Sequence, residues 1–78
     1  MKRQIVVCDD DNSLKQLYKQ LRKKYSSAKC VKRNHTIYST DLYIKLVTRR
    51  YYLNYILILD KQIVIFESHF RKLEKLDV

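Results

Sequence analysis

A chain of 78 residues has room for one domain with a thin core, and its 17 Lys and Arg against 8 Asp and Glu give a formal charge of +9. Neither Gly nor Pro occurs, which excludes a Gly-rich phosphate loop or a dinucleotide fingerprint and leaves the turns to Asp, Asn, Ser and Lys. No stretch approaches the roughly 18 uninterrupted apolar residues of a membrane span.

The first element is Ile5, Val6, Val7 and Cys8, a short apolar run that reads as an interior strand. It ends at Asp9, Asp10, Asp11 and Asn12. The opening segment, MKRQIVVCDDD, holds too short an apolar run for a signal-peptide core, so a cytoplasmic or otherwise intracellular protein is expected. Leu14, Leu17, Tyr18, Leu21 and Tyr25 then recur at helical spacing, with Lys15, Lys19, Arg22 and Lys23 on the opposite side. Asp11 or Asn12 is the expected cap, and the acidic start and basic finish complement the helix dipole. The helix is expected to end near Tyr25, where Ser26 and Ser27 break the pattern.

Residues Ala28 to Ser39 admit one bent strand or a ribbon of Lys29–Lys32 and His35–Ser39 turning at Arg33-Asn34; the ribbon is preferred because Asn suits a turn and both arms hold β-formers. A second helix is expected next, capped by Ser39 or Thr40, with Leu42, Tyr43, Leu46 and Val47 facing the sheet. It leads into YILILDKQIVIF, whose arms Tyr55–Leu59 and Gln62–Phe66 predict a hairpin turning at Asp60-Lys61. Both faces of that hairpin are mostly apolar. Ser68 is the expected cap of a last short helix with Phe70, Leu73 and Leu76 as its stripe. The predicted fold class is α+β: a single domain over residues 1–78 with a small, mostly antiparallel sheet, a C-terminal β-hairpin, and helices packed on one face. The apolar second face of the sheet predicts a homodimer through the sheet or its edge.

Cys8 and Cys30 lie in strand-like stretches without metal-type spacing and read as small core residues. His35 and His69 have no metal-type partners, and no HExxH, CxxC or serine elbow occurs. No cofactor, metal site or enzymatic activity is expected. The segment IVVCDDDNSLKQLYKQL nevertheless resembles the opening of a response-regulator receiver domain, a hydrophobic strand ending in acids before an amphipathic helix. The resemblance extends to YILILD and implies Asp9 and Asp10 as magnesium ligands and Asp60 as phosphoacceptor, which would give metal-dependent phosphoryl transfer. The chain departs from the family in lacking the later strands with their Thr or Ser and Lys, in returning as a strand after Asp60, and in having no Gly or Pro landmarks. Read without the family, the three aspartates are a polar strand end and helix cap, and Asp60 is a turn residue.

The charge distribution carries the functional reading. From Asn12 to Thr40 there are eight basic residues and no acidic one, whereas Asp41–Val78 has seven basic and five acidic. Lys15, Lys19, Arg22, Lys23, Lys29, Lys32 and Arg33 make an electrostatic surface, and TRRYYLNY adds Arg49, Arg50 and Tyr52, cations beside a ring that stacks on unpaired bases. The expected function is stoichiometric: a small nucleic-acid-binding or regulatory protein, DNA or RNA being open. The alternative partner is an acidic protein surface, bound by an interaction or inhibitor module.

Overall fold

A computed structural model of the chain describes residues 2–51 and 63–76. The elements are β1 (Lys2–Cys8), α1 (Asp11–Lys24), β2 (Lys29–Val31), β3 (Thr36–Tyr38), β4 (Leu42–Thr48), β5 (Ile63–Phe66) and α2 (Glu67–Leu73). The five strands form one sheet in the order β2-β3-β4-β1-β5. With α1 and α2 packed against it this is an α+β fold. Among the described residues no helix is long and apolar enough to cross a membrane.

β1 is the centre because it has something apolar to bury on each side. Val6 pairs with Leu46 and Ile65, and Val7 with Val47 and Phe66. Val6 and Cys8 face a cluster that includes Ile44, Leu46, the α1 stripe Leu14, Leu17, Tyr18 and Leu21, and Phe70 of α2. Both helices therefore share one face of the sheet. Ile5 and Val7 face the other way, with Val47 and the partly buried Val64. Ile5 and Val7 are each 1% exposed, so this second face is not open at its centre, contrary to the expectation that supported dimerisation there.

The sheet is mixed. β1 runs parallel to both β4 and β5, and the antiparallel part is confined to β2, β3 and β4. The expected ribbon is present, with β2 and β3 joined by a turn over residues 32–35 in which His35 takes φ 48°. The helix expected after Ser39 is instead β4, a correction with a clear physical cause. Leu42, Tyr43, Leu46 and Val47 fit a helical stripe, but that stripe would leave Ile44 outside, and Ile44 is completely buried. A strand apolar on both faces loses its alternation, so its sequence no longer separates it from a helix.

Of the predicted C-terminal hairpin, the arm Tyr55–Leu59 and the turn at Asp60-Lys61 lie outside the described residues. The other arm is β5, which pairs with β1. Two caps also differ from expectation. Asp10, one residue earlier than expected, is extended and accepts from the Ser13 N–H at 2.8 Å. Ser68 lies inside α2, which follows directly from β5 with the extended Phe66 at the N-cap position. In the predicted α2 stripe Phe70 is buried and Leu76 packs on the core, but Leu73 is 59% exposed.

Candidate nucleic-acid interface

Burying Leu14, Leu17, Tyr18 and Leu21 fixes the rotation of α1 and so fixes what it shows to solvent. Lys15, Lys19, Arg22 and Lys23 are all exposed, and the last three line a shallow hollow of about 330 Å³. Lys29 on β2 and Lys32 and Arg33 in the following turn are exposed as well. None of these seven has an ion pair among the described residues. Lys24, the remaining basic residue of the acid-free stretch, is neutralised by Glu74.

Tyr18 joins the two halves of this surface. Its ring is 5% exposed, with the Arg22 guanidinium 5.8 Å from its centroid and the His35 ring edge-on at 5.3 Å. The β2–β3 turn is thereby held against the basic side of α1. Burial raises the Tyr18 phenol above its ordinary value, nearby Cys30 adds to the rise, and Arg22 opposes it. Tyr18 falls in the apolar stripe of α1, so the sequence marks it as core and gives no sign that it also holds Arg22 and the turn.

The segment TRRYYLNY divides. Residues 49–51 are helical, and the Tyr51 N–H donates to Thr48 Oγ1 at 3.4 Å. Tyr51 is 50% exposed and shares a hollow of about 270 Å³ with Arg33, His35 and Lys45. An aromatic ring thus stands beside the basic turn, although the sequence pointed to Tyr52, which lies outside the described residues. Arg50 is exposed. Arg49 turns elsewhere, binding Asp9 Oδ1 at 2.9 Å with its guanidinium 5.7 Å from the Phe66 ring centroid.

The aspartates have separate roles: Asp9 pairs with Arg49, Asp10 caps α1, and Asp11 sits exposed in its first turn. Among the described residues no group of three or more His, Cys, Asp or Glu side chains converges as a metal site. Asp60, the phosphoacceptor implied by the receiver resemblance, lies outside the described residues. Cys8 is buried as expected, and burial foremost, then Glu67, pushes its thiol up to about 12. Cys30 is exposed on β2, which corrects its assignment to the core. His69 is exposed and His35 half-buried. Compared with known proteins, the chain matches no family model, no curated protein and no solved structure.

Proposed function

We propose that the chain binds nucleic acid stoichiometrically through the basic side of α1 and the adjoining β2–β3 turn. The observation that carries this reading is the set of seven exposed cations, without ion pairs among the described residues, on α1 and on β2 with its following turn, which Tyr18 links to the helix. From Lys15 to Lys23 the helix advances about 12 Å, so its cations can follow a run of phosphates. Arg33 beside the half-exposed Tyr51 adds a place where an unpaired base can stack, which favours a single strand over a duplex.

Each neutralised phosphate releases counterions, so affinity falls steeply with salt. With about five phosphates engaged, raising salt from about 50 to about 300 mM weakens binding by about a thousandfold. Fluorescence anisotropy with labelled single-stranded DNA, duplex DNA and RNA measures both the class and the salt slope. The double variant K19E/R22E is expected to abolish binding without changing thermal unfolding. Binding retained by that variant at moderate salt would overturn the assignment.

We also infer a homodimer formed beside β5, the last strand of the sheet among the described residues. It is supported by Ile63 at 43% and Leu73 at 59% exposure, two large apolar side chains beside a hollow of about 540 Å³. Sedimentation of the protein alone tests this, and a monomer at tens of micromolar would end it.

A further inference from the structure

The parallel centre of the sheet makes a crevice that the basic surface does not use. From β1 the chain first reaches β4 on one side and later β5 on the other, so the winding changes direction between β1 and β5. The carboxyl ends of these two parallel strands lie side by side. A cleft of about 630 Å³ opens there, between Asp9 after β1 and Phe66 at the end of β5. Its size lies within the roughly 300–1,000 Å³ of small-molecule sites.

The walls have two characters. Phe66, 49% exposed, and Leu76 form an apolar part, with Arg49 lying over the Phe66 ring. Lys72 and Lys75 form a cationic part, and Ser13 and Ser68 contribute hydroxyls. The two carboxylates of the lining are already matched. Glu67 accepts from Arg71 Nε at 2.8 Å, and Asp9 is paired with Arg49. Neither Lys72 nor Lys75 has an ion pair among the described residues, so the cleft carries a net positive charge. The Asp9–Arg49 pair is itself loosely held, with both side chains about two-thirds exposed, so Arg49 can turn to an incoming dianion at little cost.

We propose that this cleft binds a small organic phosphate: the phosphate lies against Lys72, Lys75 and the serine hydroxyls, and a planar, weakly polar portion lies against Phe66 and Leu76. A mononucleotide has both parts. Inorganic phosphate lacks the planar part, and a nucleoside lacks the charge. None of the seven cations assigned to the nucleic-acid surface lies in this cleft, so the two sites are tested by different substitutions.

Isothermal titration of the full chain with AMP, inorganic phosphate and adenosine at low salt tests the proposal. AMP is expected to bind one per chain, at least about tenfold tighter than either fragment, and Lys72→Glu or Arg49→Gln is each expected to weaken it about tenfold or more. Both side chains are exposed, so thermal unfolding should be unchanged. The K19E/R22E variant should bind AMP as the parent does. The proposal is overturned if AMP binds no tighter than inorganic phosphate, if both cleft variants keep full affinity, or if K19E/R22E loses AMP to the same extent as the cleft variants. The last result would mark general attraction to a basic protein. Loss of AMP binding in the cleft variants alone, with nucleic-acid binding absent throughout, would support this site and remove the other.

Discussion

Arg71 of α2 donates from Nη1 to Oε1 of Gln20 in α1 at 2.6 Å, while its Nε holds Glu67 at 2.8 Å. Its side chain is 9% exposed and that of Glu67 14%, so the bridge has little access to water. A helix of seven residues does not persist alone, and this contact, with buried Phe70, docks it on the sheet. Removing one partner of a buried pair leaves the other charge uncompensated. Arg71→Ala is therefore expected to cost about 3–5 kcal/mol in urea unfolding, and R71L/E67L less than that single change, because it buries no lone charge. Equal losses in the two would show that the pair itself does not govern the docking.

The ends of the two helices are joined by Glu74, which accepts from Lys24 and from the Tyr25 hydroxyl, the latter at 2.7 Å. Burial alone would raise the Glu74 carboxyl, but the bonds from Lys24 and Tyr25 and the Lys24 charge outweigh it and hold the group below its ordinary value. Burial, then the bond to Glu74, pushes the Tyr25 phenol up to about 12. The signs are opposite in stability. A lowered carboxyl contributes stability above its ordinary value of about 4.3, lost as pH falls through the folded value. A raised phenol contributes stability below about 10, lost as pH rises toward 12. Thermal unfolding followed from pH 3 to 11 should be level near neutrality and fall at both ends. Glu74→Gln should flatten the acid limb, and an unchanged acid limb would exclude Glu74 as its source.

The two thiols should separate by reactivity. Cys8 is completely buried and its thiol is pushed up to about 12, whereas Cys30 is exposed. Only thiolate reacts, and only where reagent can reach it. A chromogenic disulfide reagent at pH 8 should titrate one thiol in the native protein and two in denaturant, with Cys30→Ser removing the native signal. Two fast thiols in the native state would mean that β1 opens readily.

The elements legible in the sequence are those with a local cause. The apolar run at Ile5–Cys8 makes a strand, the spacing of Leu14, Leu17, Tyr18 and Leu21 makes a helix, and Arg33-Asn34 makes a turn between β-formers. The basic side of α1 was legible for the same reason, since burying one stripe exposes the other. β4 was not, because its identity depends on being paired on both edges and buried on both faces. Parallel pairing of β1 with β4 and β5 rests on contacts remote in sequence, and no local pattern announces it. The Asp9–Arg49 pair and the cleft beside it exist only once the ends of β1, β4 and β5 have been brought together.

A chain without glycine must place other residues where positive φ is required, and Lys75 is such a place. It follows α2 with φ 54°, its N–H donating to the Lys72 carbonyl at 3.3 Å and the Leu76 N–H to the Arg71 carbonyl at 2.9 Å. This is the bond pattern of a Schellman stop, in which the left-handed residue is usually Gly because a Cβ costs about 1–2 kcal/mol there. Replacing Lys75 by Gly relieves that cost, and the greater freedom of the unfolded chain returns part of it. Lys75→Gly is therefore expected to gain about 0.5–1 kcal/mol, which for so small a domain raises the melting temperature by about 3–6 °C. Lys75→Ala keeps the Cβ and also removes the charge, so it should show no gain. If both variants are stabilised alike, the effect comes from removing a positive charge from a basic protein. A gain confined to glycine assigns it to the backbone of the turn.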